Sequence, residues 1–252
     1  MSFFIQMIIL ITNDDGIDSP GIKSLTSYFN GLGELWVVAP DRERNAIGRA
    51  LTLHRPLRVQ KKSARRFAVN GTPSDCVNLA INSLLPAKPE LVVSGINKGG
   101  NLGDDISYSG TISAAFEATI LGIPAFAISL ATRKNFKFKP AALFAARLAK
   151  VILKQGLPPD TFLNVNVPDT DGREISTFKI TRQGKSIYDN AIVEKLDPRG
   201  GKYYWLGGTD IKFKKIPRSD FAAVSQNCIS ITPLKTDHTN YPAMKMLKTW
   251  KL

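Results

Sequence analysis

The sequence predicts an α/β protein built on a doubly wound, mainly parallel sheet, with antiparallel strands appended toward its C-terminal end. Three observations carry that expectation. Short apolar runs rich in β-branched residues recur along the chain, they are continuous rather than alternating, and helical stretches lie between them. Continuous runs belong to strands covered on both faces. Strand and helix repeating with short connections puts helices on both sides of one sheet, and ligands then bind outside the carboxyl ends of the strands.

The core strands are expected at Ile8 to Thr12, Leu35 to Ala39, Leu91 to Ser94, Ala125 to Leu130 and Phe162 to Val167. A first helix opens at Ser19 as N-cap with Pro20 behind it, turns Ile22, Leu25 and Phe29 to one face, and closes at Gly31. The second opens on Thr72, Pro73 and Asp75, which resemble a capping box, and carries Val77, Ala80, Ile81 and Leu84 inward. A third follows Tyr108-Ser109-Gly110-Thr111 and stops at Gly122-Ile123-Pro124, and a fourth runs from about Pro140 to Lys154. From about Ile175 the pattern changes. Phe178 to Arg182, Ile187 to Leu196, Tyr203 to Leu206 and Cys228 to Thr232 read as antiparallel strands, broken by Pro198-Arg199-Gly200-Gly201 and Gly207-Gly208. A projecting β arm needs cover for its edges, so it is expected to embrace a second subunit.

At 252 residues the chain suits a single domain over 1–252, with its core at about 7–172 and 220–252 and the arm at about 175–218. An apolar fraction of 43% with 22% charged residues excludes disordered and collagen-like chains. Cys76 and Cys228 lie far apart and near no histidine cluster, which suggests reduced thiols and a cytoplasmic setting rather than a disulfide framework or zinc site. The opening MSFFIQMIILIT lacks a basic leader and a small-residue cleavage site, so it reads as a core strand behind a short extension, with Met7 an alternative start. No apolar run approaches the ~20 residues of a membrane span. The net charge is +13, and nine Lys or Arg residues from Arg42 to Arg66 face a single acid, Glu43. Such a field draws polyanions such as nucleotides or polyphosphate. No nucleic-acid recognition motif or aromatic stacking pattern accompanies it, which disfavours a nucleic-acid partner.

The sharpest chemical feature is Thr12-Asn13-Asp14-Asp15-Gly16 after the first strand. Two consecutive carboxylates on a turn at the ligand-binding rim seat a hard cation, although the same residues also make good turns. Ser94-Gly95-Ile96-Asn97-Lys98-Gly99-Gly100-Asn101-Leu102-Gly103 follows the third strand and matches neither the dinucleotide fingerprint nor a Walker loop. Its glycines open backbone amides to a phosphate, and Asn97 and Asn101 offer oxygen ligands or donors. Ser109, Gly110 and Thr111 present hydroxyls and amides at a helix N-terminus, where a phosphate fits. After the second strand, Asn45 is within reach of a cation and Arg42 or Arg44 of a substrate phosphate. Of the two histidines, His54 and His238, the second is a minor candidate for acid-base work.

Taken together these residues resemble the stationary-phase survival protein SurE family of 5'/3'-nucleotidases. The likeness runs from about Met7 to Tyr241 through Thr-Asn-Asp-Asp-Gly16, Val-Ala-Pro-Asp-Arg42, Gly71-Thr-Pro-Ser-Asp-Cys76, Ser94-Gly-Ile-Asn97, Asn101-Leu-Gly-Asp-Asp105, Tyr108-Ser-Gly-Thr111, Asn164-Val-Asn-Val-Pro168 and Thr232-Pro-Leu234. The resemblance implies a Rossmann-like core, a β extension used in homodimer or homotetramer assembly, and a nucleoside monophosphate phosphatase that in some members also cleaves polyphosphate. It implies one divalent metal per subunit, Mg²⁺ or Mn²⁺ with Ca²⁺ also acceptable, held by Asp14, Asp15 and Asn97. Phosphate would be held by Ser109, Gly110 and Thr111 with Asn101, and Asp14 and Asp15 would be catalytic. Where the family usually has serine after Asp-Arg-x-x, this chain has Asn45, whose carbonyl still suits a hard cation on a longer arm. The alternative reading is a nucleotide-binding protein without turnover, its metal site weakened at Asn45.

Overall fold

The computed structural model describes residues 7–187, 192–206 and 212–251. The short extension ahead of Met7 and the turn at Gly207-Gly208 lie outside these residues, as do positions 188–191 of the expected strand Ile187 to Leu196.

Among the described residues nine strands form the main sheet: β1 (Ile8–Thr12), β2 (Glu34–Pro40), β3 (Val59–Ser63), β4 (Arg66–Val69), β5 (Leu91–Lys98), β6 (Ala125–Ala131), β7 (Thr161–Pro168), β8 (Phe178–Ile180) and β13 (Ile229–Lys235). Their order is β3-β4-β2-β1-β5-β6-β7-β13-β8. Pairing is parallel from β4 through β7, whereas β3 runs antiparallel to β4 and β13 antiparallel to β7. All five residues of β1 are buried, and its side chains alternate between faces. Ile9 and Ile11 pack with α1 (Pro20–Phe29) and α4 (Lys139–Gln155), while Leu10 packs with α2 (Pro73–Leu79) and α3 (Gly110–Ile120). Each such buried aliphatic side chain contributes roughly 1.5–3 kcal/mol relative to exposure.

The helix signals act as expected. The Ser19 and Ser109 hydroxyls accept from Ile22 N and Ile112 N, and Thr72 with Asp75 forms a full capping box. The chain leaves β1 toward β2 and returns to its other side as β5, so the switch point lies between the carboxyl ends of β1 and β5.

Two features differ from the sequence reading. Strands β3 and β4 were not anticipated, because β3 is an exposed edge strand whose Lys61 and Lys62 hide any apolar period. Phe178–Ile180, read as part of the arm and as antiparallel, instead extends the main sheet, with β8 parallel to β13. Hydroxyls weld this region: Thr181 Oγ1 lies 2.8 Å from Ser230 Oγ and 2.7 Å from Thr232 Oγ1. Outside the sheet, β10 (Ile192–Leu196) and β11 (Lys202–Leu206) form an antiparallel hairpin, and β9 (Ser186–Ile187) pairs with β12 (Lys212–Phe213). Helices α5 (Asp220–Val224) and α6 (Tyr241–Leu247) flank β13. Among the described residues no helix is long and apolar enough to cross a membrane.

Candidate active site

The turn after β1 delivers Asp14 and Asp15 to the switch point. Gly16, at φ +96°, carries the chain so close to the next loop that a Cβ there would stand 3.1 Å from the Arg42 carbonyl carbon. That loop is fastened by Arg44 N donating to the Asp14 carbonyl at 2.8 Å, which brings Asn45 to the same rim. Asn45 is exposed, and its side-chain amide donates to Glu43 Oε1.

Asp14 is buried against the start of α3. Thr111 N donates to Asp14 Oδ2 at 3.1 Å and the Thr111 hydroxyl donates to Asp14 Oδ1. The approach is possible because residue 110 is glycine: a Cβ there would lie 2.9 Å from Asp14 Cβ and 3.0 Å from Oδ2. Burial pushes the Asp14 carboxyl up to about 6; the Thr111 hydrogen bonds oppose the rise and the Asp15 charge adds to it. Asp15, with its side chain 3% exposed, is also pushed up by burial. The Lys98 ammonium, 3.8 Å away, and Lys98 N, donating at 3.3 Å, pull it back, and Glu43 raises it.

Asn97 sits at the end of β5, beside Lys98, with its amide nitrogen donating to Gly99 O at 3.0 Å. Its Oδ1 is therefore the atom left for a ligand. Asn101 is buried and braces its loop: Nδ2 donates to Ser129 Oγ at 2.8 Å, its N–H donates to Asn166 Oδ1 at 2.8 Å, and its carbonyl accepts from Asn164 and Asn166. At the head of α3 the Ser109 oxygen accepts from Ile112 N at 3.2 Å, which leaves its own proton to donate outward, and Gly110 N–H lies in the first turn.

The donor set fits a hard divalent cation. Among the described residues no three of His, Cys, Asp and Glu gather as a metal cluster. Two carboxylates and amide oxygens are instead an oxygen-only set, as Mg²⁺ or Mn²⁺ prefers. Beside them Thr12 Oγ1, Asn13 Oδ1 and Ser94 Oγ are buried without a hydrogen-bond partner, and Thr12 and Ser94 are paired across β1 and β5. Polar atoms of this kind mark where a hydrated ion finds partners. Sequence reading had not singled out Lys98 as the counter-charge of Asp15, and Thr111, expected at the phosphate, spends both of its donors on Asp14. His238 lies away from the carboxylates, stacked on Phe116 and joined to Arg49.

Fold and site together define a Rossmann-like α/β protein that carries a carboxylate pair and a helix N-terminus at its topological switch point. The family model described as Survival protein SurE matches residues 9–190, and the chain belongs to that family. It is 55% identical over 247 residues to the 5'-nucleotidase SurE of Geotalea uraniireducens, covering 98% of this chain and 100% of that protein. It is 56% identical to the 5'-nucleotidase SurE of Geobacter sulfurreducens, covering 98% and 94%. The crystal structure of the SurE protein from Aquifex aeolicus superposes with a TM-score of 0.85 at 42% identity, covering 96% of this chain and 98% of that one.

Proposed function

We propose that the protein is a divalent-metal-dependent phosphomonoesterase that hydrolyses nucleoside 5'-monophosphates, with 3'-monophosphates and short polyphosphate as further substrates of the same site. The observation that carries this reading is the contact between Asp14 and the first turn of α3, which sets an anionic cation seat directly against a phosphate-binding helix end. The names of the relatives support it.

Asp14, Asp15 and Asn97 hold the cation, Mg²⁺ or Mn²⁺, with Asn45 completing the set through its Oδ1. When bound, the ion supplies Lewis-acid polarisation and a lowered pKa for water. The chain does the rest. Ser109 Oγ and Gly110 N–H donate to equatorial phosphoryl oxygens as charge shifts in the transition state. Thr111 holds Asp14 in one orientation, and Asn101 fixes the loop between the two halves of the site. Asp15, tempered by Lys98, is placed to accept a proton from attacking water.

The Asn45 amide bound to Glu43 favours one competing reading, a nucleotide-binding protein without turnover. The test is inorganic phosphate release from 5' and 3' nucleoside monophosphates with Mg²⁺ or Mn²⁺, with chelator, and with Asp14→Asn. Chelator-sensitive release abolished by the substitution is expected; nucleotide binding without release under any metal would establish the competing reading. We also propose that the protein works in the cytoplasm as a homodimer or homotetramer. The β10–β11 hairpin supports the assembly, since it stands off the main sheet with Ile192, Leu196, Tyr204 and Trp205 exposed.

A further inference from the structure

On the side of α3 turned away from the carboxylates lies a cavity of about 310 Å³. Thr111 points to Asp14, whereas Ile112, Ser113 and Phe116, which line the cavity, stand roughly 100–200° around the helix from it. None of Asp14, Asp15, Asn97, Ser109 and Gly110 borders this space. Its floor is apolar: Phe116 meets Phe162 edge to face, with ring centroids 5.9 Å apart, and Ile112 and Leu234 complete the surface. Its mouth is cationic. Arg49, from the loop after β2, places Cζ 4.4 Å from the centre of the Phe116 ring, and His238, from the segment after β13, stacks on the same ring at 5.6 Å. Arg49 Nη1 and His238 Nε2 are hydrogen-bonded. A guanidinium only donates, so the imidazole accepts, and Arg49 keeps Nε and Nη2 as free donors among the described residues.

The charges around this mouth do not cancel. Asp237 is the one carboxylate among the described residues that line the cavity. It is already engaged by Thr239, whose N–H donates at 2.8 Å, by the Tyr241 hydroxyl and, more weakly, by the Lys235 ammonium. Arg49 has the His238 imidazole and the Phe116 ring as partners, and among the described residues no carboxylate. An apolar chamber with an uncompensated guanidinium at its mouth matches a small anion with a flat apolar body. The body packs on the floor, and a planar carboxylate takes the two remaining donors of the guanidinium fork. The volume stands at the lower end of the roughly 300–1,000 Å³ of small-molecule sites, which suits one ring and its head group rather than a nucleotide.

We propose that this cavity is a second ligand site, separate from the cation seat, that takes a small aromatic carboxylate with its head group on Arg49 and its ring against Ile112, Phe162 and Leu234. The assignment is independent of the phosphomonoesterase reading, since it uses none of the residues that hold the cation or the phosphate.

The probe is benzoate, with benzamide as its neutral isostere and acetate as an anion without a ring, each titrated into the full chain in chelator and followed by NMR. Saturable benzoate binding is expected, with benzamide and acetate at least tenfold weaker. Intermolecular NOEs should run from the benzoate ring to the methyl groups of Ile112 and Leu234. Arg49→Gln, at an exposed position, should weaken benzoate at least tenfold and leave benzamide within about twofold. Ser107→Trp, which fills the cavity from another exposed position, should remove both. The assignment is overturned by the absence of saturable benzoate binding, by equal affinity for benzoate and benzamide, or by benzoate binding that Arg49→Gln leaves unchanged. NOEs to Asn45 or Ser109 in place of Ile112 and Leu234 would overturn it too, because they would put the probe at the cation seat.

Discussion

The backbone N–H of Gly103 donates to Asp220 Oδ2 at 2.8 Å across 117 residues of sequence. Asp220 is completely buried, and it also accepts from Gly184 N at 2.9 Å and Phe221 N at 2.8 Å. One carboxylate thus joins the loop that follows Asn101 to the segment at Gly184 and to the head of α5. A second tie runs parallel: Asp104 accepts from Ser186 N and the Lys185 ammonium, both at 3.0 Å. The loop leading to the head of α3 is therefore positioned by residues of the C-terminal third of the chain.

Replacing Asp220 by asparagine should expose this dependence. The new amide NH₂ would face a backbone N–H, donor against donor, at a fully buried position, at a cost of about 1–3 kcal/mol. Thermal unfolding should shift downward, and the catalytic efficiency of the folded variant should fall at least severalfold because Gly103 is no longer anchored. An unchanged midpoint together with unchanged turnover would show that Asp220 does not position the loop.

The elevated Asp14 carboxyl makes the metal-free protein less stable as pH rises. Its folded value of about 6 lies above the ordinary 3.8, so the folded state retains a proton that the unfolded chain releases. The contribution is fully present below the unfolded value and is lost as pH passes through about 6. Two pH units correspond to about 3 kcal/mol. Denaturant unfolding in chelator should show stability falling from pH 4 to pH 7 in the parent and a flatter profile in Asp14→Asn. Adding Mn²⁺ should restore stability at neutral pH in the parent alone, since a ligand stabilises only the state that binds it.

Gly110→Ala addresses the close approach itself. The added methyl would stand 2.9 Å from Asp14 Cβ and 3.2 Å from Pro73 Cγ, so either the carboxylate or the helix must shift. Alanine otherwise favours the helix over glycine by roughly 1 kcal/mol. The expected outcome is a folded protein of nearly parental stability whose phosphate release falls at least a hundredfold. Retained activity would place the reacting groups elsewhere.

Much of this architecture was legible before any coordinates. The buried strands at Ile8, Leu91, Ala125 and Phe162 announced themselves as continuous apolar runs, and Ser19 and Thr72 announced their helices by capping chemistry. Asp14 with Asp15, and Ser109 to Thr111, were visible because each stands where an element ends. Less legible were features that depend on a partner far along the chain. Nothing local in Asp220 signals Gly103, and nothing in Cys228 to Thr232 says that its strand pairs with β7 rather than within an arm. Strand β3 was concealed because its lysines suit an exposed edge as well as they suit a loop, and β4 because it is only four residues long. Thr111 was seen as a phosphate contact because its type and place allowed that role. Only the fold reveals that both of its donors point back to Asp14.

Thr111 accordingly supplies the most discriminating substitution. Valine preserves its shape and burial but removes the hydroxyl that donates to Asp14 Oδ1, leaving only the backbone donor at 3.1 Å. A hydrogen bond to a charged acceptor is worth roughly 1.5–3 kcal/mol. That bond favours the ionised carboxylate, so its loss must raise the Asp14 value beyond about 6. If Thr111 acts by orienting and ionising Asp14, the acid limb of the rate profile should move to higher pH in Thr111→Val, and metal affinity should drop at fixed neutral pH. Serine, which keeps the hydroxyl and loses only the methyl, should restore both. A direct phosphate ligand would behave differently: KM would rise with the acid limb unmoved, and the metal titration would match the parent protein.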